Sequence, residues 1–217
     1  MDETIHVSPK TFSWYPGSNH TLSIPSPQPG AAGIRQVFSS WSDGGAQDHI
    51  ITAPSLPTTF SASLMSQYSL GVELSPSNGG AVTPSGTAWF NKGDVANVAA
   101  QANPGFSFTG WSGALSGPSN SGTVSMTGPK KLKAKFKQVK YSLKTSVSPS
   151  QSGSVAKSPS KSKYVYGETV TLTAKPKAGY VFTGWSGSAT GLENPIALSI
   201  TGNLSATASF AKEESRQ

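Results

Sequence analysis

The hexapeptide FTGWSG stands at residues 108–113 and again at 182–187, and FSSWSDGG at 38–45 is a divergent copy of it. Each copy places one tryptophan among small residues, behind an aromatic residue. A motif stamped out once per segment points first to an internal repeat, whose period decides how the chain is built. The chemistry of the motif then has to be weighed as a catalytic signature, a ligand platform or a core element.

The repeat extends far beyond the hexapeptide. YSLGVELSPSNGGAVTPSG from Tyr68 matches YSLKTSVSPSQSGSVAKSPS from Tyr141, and further along the offset becomes 74 residues. At that offset the matched pairs are Gly93 and Gly167, Phe106 and Tyr180, Phe108 and Phe182, Trp111 and Trp185, Met126 and Ile200, and Phe136 and Phe210. The sequence therefore predicts complete repeats at 68–139 and 140–217.

The N-terminal segment repeats only the second part of this unit. QVFSSWSDGG resembles FSFTGWSGAL, and TTFSASL at 58–64 resembles KLKAKFK at 131–137, whereas PSPQPGAAGI is extra and the opening strand pair is missing. We predict a partial or divergent repeat at 1–67. The three segments are called the first, second and third repeat below.

Within a repeat the apolar residues recur every second position, as in Leu204, Ala206, Ala208 and Phe210. This is the period of a β-strand with one buried face. Turn sequences such as SPSNGG, NPG, KAG and TGP separate the strands. The pattern predicts an all-β or mainly β chain of five or six short strands per repeat. A domain of about 70 residues buries only ~60% of its unfolded surface, so neighbouring repeats are expected to share interfaces in an elongated array.

A catalytic role for the motif is disfavoured by its spacing. A nucleophile elbow needs G-x-S-x-G, but Ser112 is followed directly by Gly113. The three histidines all lie in the first repeat, so neither complete copy carries a base of its own. The chain has no cysteine and no calcium-binding loop pattern, and we expect no catalytic residues, no metal site and no cofactor.

The favoured interpretation is a core element. In YVFTGWSG, Gly184 lets the strand bend so that Trp185 can turn inward beside Phe182. Burying ~200 Å² of indole contributes ~5 kcal/mol, a large share for so small a unit. The predicted core set is Trp41, Trp111, Trp185, Phe108, Phe182, Phe136 and Phe210. An exposed aromatic platform that stacks on sugars remains the alternative.

These residues also carry a resemblance. The order of GETVTLTAKPKAGYVFTGWSG, NP and SATASF resembles the divergent internalin B-repeat family of bacterial surface proteins. The match rests on Gly167, Ala174, Gly179, Tyr180, Phe182, Gly184, Trp185, Gly187, Asn194, Pro195 and Phe210. The second repeat departs from it at GPSNSG, and the first has SWSDGG in place of GWSG. The resemblance implies tandem β-grasp-like or mainly β modules that serve as stalks and adhesion modules, without activity of their own.

Charge is concentrated where the second and third repeats meet. Between Lys130 and Lys177 there are twelve lysines and one acidic residue, Glu168. In KKLKAKFK the lysines alternate with apolar residues, which places them on the solvent face of a strand. Such a row either blocks sheet-to-sheet association or attracts polyanions such as acidic glycans and cell-wall polymers. The candidates for polyanion binding are Lys131, Lys133, Lys135, Lys137, Lys140, Lys161 and Lys163.

Near-absence of arginine from this region disfavours sequence-specific nucleic-acid binding. The sequence shows no membrane span and no signal peptide, so a signal and an anchor are expected outside this segment. We predict a non-catalytic structural and adhesion segment of an exported bacterial protein, extracellular or on the cell surface, that contacts neighbouring repeats and can self-associate. The alternative is a carbohydrate-binding accessory region of a secreted enzyme.

Overall fold

The computed structural model describes residues 8–214, and this part of the chain forms nineteen β-strands and no helix. The prediction of an all-β chain of small repeated sheets is confirmed. The first five strands are β1 (Asn19–Leu22), β2 (Gln28–Pro29), β3 (Ile34–Trp41), β4 (His49–Thr52) and β5 (Ala62–Ser75). Then come β6 (Gly80–Thr83), β7 (Thr87–Asn91), β8 (Val95–Ala102), β9 (Phe106–Gly113), β10 (Ser121–Ser125) and β11 (Lys130–Gln138). The last eight are β12 (Lys140–Tyr141), β13 (Leu143–Ser148), β14 (Gly153–Ser158), β15 (Tyr164–Val165), β16 (Thr169–Pro176), β17 (Tyr180–Gly187), β18 (Ile196–Ser199) and β19 (Leu204–Lys212).

The third repeat consists of two three-stranded sheets, ordered β13-β19-β17 and β14-β16-β18. The first strand runs parallel to the last, with Leu143 opposite Leu204, whereas the other main pairs are antiparallel. Alternation decides which face is buried: Val170, Leu172 and Ala174 of β16 point into the core and their neighbours do not.

One apolar cluster joins these two sheets. Its buried members are Leu143, Tyr164, Val170, Leu172, Ala174, Trp185, Ala189, Ile200, Ala206, Ala208 and Phe210. Because residues of both sheets contribute, the third repeat is a small sandwich whose core is built by period-two strands.

The second repeat has the same strand order. Its sheets are β5-β11-β9 and β6-β8-β10, with β7 paired to β5 as β15 is paired to β12. The matched residues behave alike, since Met126 and Ile200 are both fully buried. The repeat inferred from the 74-residue offset is thus a repeat of structure.

The first repeat keeps the backbone pairing of the other two. Gly17 N–H donates to Ala53 O and Ala53 N–H donates to Ser18 O, each at 2.8 Å. The third repeat has the same pair of bonds, from Gly167 to Ile200 and from Ile200 to Glu168, at 2.8 and 2.9 Å. The first repeat therefore shares this pair of main-chain bonds with the third, and its assignment as a partial copy stays a prediction.

Two details of the first repeat differ from the expectation. Leu64 lies opposite Phe38 as Phe210 lies opposite Phe182, so Leu64 takes the place of Phe136, and the alignment of TTFSASL with KLKAKFK is wrong by one residue. The extra segment forms β2, which pairs with β3. The opening strand pair is expected to be missing from the first repeat. Residues 8–18 contain no strand, and residues 1–7 lie outside the described part of the chain.

The chain divides into two compact units. One comprises Met1–Glu73, Val82–Ala100 and Gly110–Ala134, and the other comprises Leu74–Ala81, Gln101–Thr109 and Lys135–Gln217. Both contain residues of the second repeat, and the predicted boundary at Tyr68 falls inside β5, so the boundaries of the modules stay a prediction. Within residues 8–214 no helix has the length and hydropathy needed to cross a bilayer.

Candidate functional site

The tryptophan of the third repeat lies at a bend in its strand. The pairing of β17 with β19 shifts register between Phe182 and Gly184, which is a β-bulge, and Gly184 has a φ of 148°. The extra residue brings Trp185 to the same side as Phe182, as expected from the glycine. Trp185 is 5% exposed, and its ring centroid lies 5.4 Å from that of Phe182.

The loop that follows closes over this indole. Trp185 Nε1–H donates to Glu193 O at 2.9 Å, so the polar edge of the buried ring has a partner. The side chain of Asn194 then accepts from Ala174 N–H and donates to Ala174 O, both at 2.8 Å. This amide pairs with one residue of β16 as a neighbouring strand would.

The first repeat holds its tryptophan with a shorter loop. Its strand has the same bulge, between Phe38 and Ser40, and Trp41 Nε1–H donates to Gln47 O at 3.1 Å. His49 lies edge-on to Trp41, with centroids 5.8 Å apart, and its Nε2 is 2.9 Å from Asp43 Oδ2. The Gly45 N–H and the His49 ring hold the pKa of the Asp43 carboxyl below its ordinary value.

The predicted core residues are buried to different degrees. Trp111 and Trp185 are 4% and 5% exposed, and Phe136 and Phe210 are 6% and 5% exposed. Trp41, Phe108 and Phe182 are half-buried. The same edge-to-face pair recurs, since Phe108 and Phe136 have centroids 5.6 Å apart and Phe182 and Phe210 have centroids 6.0 Å apart.

The lysine row lies on β11. Leu132, Ala134 and Phe136 are buried, while the alternate residues Lys131, Lys133, Lys135 and Lys137 are exposed. Sequence alternation was sufficient to predict this arrangement. It did not reveal Glu73 on β5, whose carboxylate lies 3.3 Å from the Lys133 ammonium.

The other three candidate lysines are also exposed, and one of them has a partner. Lys161 forms an ion pair with Glu168, which in turn accepts a 3.1 Å bond from Val165 N–H. These two contacts, the lysine first, lower the pKa of the Glu168 carboxyl. Lys140 and Lys163 are exposed to solvent.

Arg35 forms a polar contact that the sequence did not suggest. Its guanidinium carbon lies 4.5 Å from the centre of the Trp89 ring, and its Nε–H donates to Gln67 Oε1 at 2.8 Å. Gln67 donates in turn to Asn91 at 2.9 Å. Only the cross-strand register, which places Arg35 opposite Gln67 and Gln67 opposite Asn91, could have revealed it.

Across residues 8–214 no group of three or more His, Asp or Glu side chains is arranged to hold a metal ion. Of the histidines that the structure describes, His49 contacts Asp43 and Trp41 as given above, and His20 Nε2 lies 2.8 Å from Ser18 Oγ, with its ring stacked 3.8 Å from that of Trp14.

At Trp41 and Trp185 a bulged strand presents the tryptophan, and the following loop accepts a bond from its indole N–H; this arrangement is called the tryptophan corner. The fold and the tryptophan corner define a tandem array of small β modules. A family model described as the divergent InlB B-repeat domain matches residues 70–140 and 143–214. These two matches cover more than half of the chain, which therefore belongs to the divergent InlB B-repeat domain family. The family is one of repeat domains found in bacterial surface proteins, so the chain is a structural repeat segment. No curated protein matches the chain.

Proposed function

We propose that this segment acts as an extracellular stalk and adhesion element of an exported bacterial protein, and that the lysine row on β11 binds polyanionic surfaces. The observation that carries the second part is the row itself: four exposed ammonium groups alternate along one strand, and Glu73 is the one carboxylate paired with them among residues 8–214. Both complete copies of the motif place their tryptophan in a core, which supports a structural role for the repeats.

The chemistry of lysine sets the kind of binding. An ammonium group is a point charge without a fixed donor fork, so a row of them attracts acidic polymers without reading their sequence. Affinity then comes largely from released counterions, so it falls steeply as the salt concentration rises. On nucleic acids, the logarithm of the affinity falls with the logarithm of the salt concentration by about 0.7 to 0.9 per neutralised charge. We expect weak, salt-sensitive binding to acidic glycans or teichoic acid.

The test is a quadruple variant, Lys131→Gln, Lys133→Gln, Lys135→Gln and Lys137→Gln. The matched control makes the same charge change at four exposed lysines elsewhere: Lys10, Lys92, Lys175 and Lys212. Heparin and teichoic-acid binding and self-association are measured on the same samples at low and physiological salt. Binding lost in the first variant and kept in the control supports the proposal.

Unchanged binding together with new oligomers would assign the row to edge protection instead. Equal loss in both variants would show that net charge, and not the row, attracts the polymer.

The carbohydrate-binding alternative draws less support. Sugars stack on an open aromatic face, whereas Trp111 and Trp185 are 4% and 5% exposed. Titration with neutral oligosaccharides while tryptophan fluorescence is followed would test it. A saturable change that is lost in Trp185→Phe would favour the alternative over the stalk.

The surface location can be tested in the producing cells. A segment displayed outside the cell should be cleaved by an added protease while a cytoplasmic marker stays intact. Protection of the segment in intact cells, with cleavage only after lysis, would contradict the proposed location.

A further inference from the structure

A row of polar side chains crosses three strands where the first repeat joins the second. Arg35 of β3 lies opposite Gln67 of β5, and Gln67 lies opposite Asn91 of β7. Direct cross-strand partners project to the same face of a sheet, so these three side chains share one face. Trp89 lies on that face too, because it stands two residues before Asn91 on β7. All four residues belong to one compact unit of the chain.

Two contacts fix the orientation of the Arg35 guanidinium group. Its Nε–H donates to Gln67 Oε1 at 2.8 Å, and Gln67 Nε2–H donates to Asn91 Oδ1 at 2.9 Å. The guanidinium carbon lies 4.5 Å from the centre of the half-buried Trp89 ring, which adds a cation–π contact. These contacts restrict the rotamers of Arg35 before any ligand is present, which lowers the entropic cost of binding one.

The positive charge of Arg35 has no acidic partner in the part of the chain that the structure describes. Within the same residues, Nε is the one guanidinium nitrogen with a hydrogen bond, so Nη1 and Nη2 are open donors. Neither terminal nitrogen is buried, so both can donate to a molecule in solution. Two parallel N–H groups at the end of a guanidinium match the two oxygens of a carboxylate. The arrangement is therefore a preoriented donor pair for a carboxylate.

The fold of the repeat does not require this polar row. Where the second repeat joins the third, β12 and β15 pair antiparallel as β5 and β7 do. There Lys140 lies opposite Val165, and these two residues correspond to Gln67 and Asn91. A lysine and a valine complete the same strand pair, so the requirements of the shared fold do not explain the row.

The face continues into a space that can hold more than one ligand group. Thr87 lies opposite Gly71 on the face that carries Trp89, and both residues line an open cavity of about 230 Å³. The exposed Lys131 lines the same cavity. A chain-like ligand held at Arg35 therefore meets a second positive charge further along the face.

The surroundings of Arg35 favour a sugar over a peptide as the ligand. A peptide that binds by strand addition needs an unpaired strand edge, but at Gln67 both edges of β5 are paired, one with β3 and the other with β7. The groups on the face are a guanidinium, an aromatic ring and side-chain amides. Among residues 8–214, Asn91 Nδ2 has no hydrogen-bond partner. Amides hydrogen-bond to hydroxyl groups and guanidinium binds carboxylate, and a sugar acid carries both.

We propose that Arg35 and the side-chain amides beside it bind the carboxylate of a uronic-acid unit in an acidic polysaccharide. Arg35 Nη1 and Nη2 donate to the two carboxylate oxygens, and the Asn91 amide bonds to a hydroxyl of the same sugar. Trp89 is a positioning residue that holds the guanidinium in place. The polysaccharide continues over the cavity toward Lys131. This site goes beyond the lysine row, because it distinguishes a carboxylate from other anions.

The first test compares one oligosaccharide in two chemical forms. Oligomers of galacturonic acid and of glucuronic acid are titrated into the protein, and binding is measured by calorimetry at low salt. The methyl esters of the same oligomers are the control, since they keep the hydroxyl groups and lose the charge. At least one of the two acids should bind about tenfold or more tightly than its ester. Equal affinity for acid and ester in both series would overturn the proposal.

The second test uses variants of the two residues that form the donor pair and its support. Arg35→Lys keeps the charge but removes the paired donors, so it should lower the affinity for the acid about tenfold. Trp89→Leu should do the same, and Trp89→Phe, which keeps an aromatic ring, should restore most of the affinity. Unchanged affinity in Arg35→Lys would overturn the proposal.

Teichoic acid separates this site from the lysine row. It carries phosphate instead of carboxylate, so its binding should be unchanged in Arg35→Lys and in both Trp89 variants. The quadruple lysine variant should lose teichoic-acid binding and keep the preference for the acid over the ester. A preference that disappears with the lysines and survives in Arg35→Lys would assign carboxylate binding to the row and overturn the proposal.

The unaltered protein provides a test that needs no variant, should a substitution prevent folding. In the ¹⁵N-labelled protein the Arg35 Nε–H resonance should shift and saturate as the acid is added, and it should not move with the ester. No shift with either acid would mean that Arg35 and Trp89 only join the first two repeats. A shift produced by a glutamate-rich peptide and not by the oligosaccharides would make the ligand a peptide. Either result would overturn the proposal.

Discussion

The first and third repeats hold their matched tryptophans, Trp41 and Trp185, in two different ways. The Trp185 indole N–H donates to Glu193 O, eight residues further along the chain. Asn194 pairs with Ala174, and the ring is 5% exposed. The Trp41 indole N–H donates to Gln47 O, six residues further along the chain, and the half-buried ring has His49 at its edge. The bulged strand and its pairing with the last strand are common to both. Strand pairing therefore positions the tryptophan, while the loop determines how deeply it is buried.

The largest expected effect is on the tryptophan itself. Trp185→Ala should lower the free energy of unfolding of the third repeat by ~3–5 kcal/mol, the usual cost of deleting a buried large aromatic residue. Trp41→Ala should cost the first repeat about 1–3 kcal/mol, because that ring is only half-buried. Amide exchange resolved by repeat measures both effects in one chain.

Equal losses of unfolding free energy in the two variants would contradict this expectation, because the burial of the tryptophan would then not determine how much it stabilises its repeat. Trp185→Phe is the control that keeps an aromatic ring but removes the bond to Glu193 O. Trp185→Phe should destabilise the third repeat, but by less than Trp185→Ala does.

Much of the fold was readable from the sequence because its signals are local. Period-two alternation located β19, and the 74-residue offset located the two complete repeats. The loop contacts were not readable, because they depend on which backbone groups the folded chain leaves without a strand partner. Asn194 and Asn120 are matched in sequence, yet Ala174 N–H bonds to the Asn194 side chain and Ala100 N–H bonds to the Asn120 main-chain oxygen.

That pair of asparagines gives the next prediction. Asn194→Ala should destabilise the third repeat by about 1–3 kcal/mol, because it leaves both backbone groups of Ala174 without their partner. Asn120→Ala should change the stability of the second repeat by no more than about 0.5 kcal/mol, because only its main chain bonds to Ala100. Chemical denaturation of the two variants under one set of conditions provides the comparison, which a larger effect at Asn120 would reverse.

The smallest expected effect is a pH dependence in the third repeat. The folded pKa of Glu168 is lowered by Lys161 and by Val165 N–H, so this carboxylate adds stability above its ordinary value of 4.5 and loses that contribution as the pH falls below it. Glu168→Gln should therefore lower the melting temperature slightly at about pH 6, and the difference from wild type should vanish near about pH 2. High salt should weaken the difference, because the pair is exposed. A difference that grows as the pH falls would contradict the sign.

The lysine row and the tryptophan corner differ in how readily the sequence revealed them. The row lies on one strand, so alternation alone placed its four ammonium groups on the solvent face. The corner brings together residues from three strands and a loop, so the sequence could name Trp185 and Phe182 but not Ala174 or Glu193. Sites built on a single strand are predictable from period, and sites built across a sandwich require its register.

Hydrogen exchange of the indole N–H distinguishes a tryptophan packed in the core from one that forms a ligand platform. In the protein labelled with ¹⁵N-tryptophan, the Trp185 indole N–H should exchange much more slowly than that of the half-buried Trp41, and its resonance should not move when oligosaccharides are added. Fast exchange at Trp185, with a resonance shift that saturates with added sugar, would show that Trp185 is a ligand platform and not a core residue.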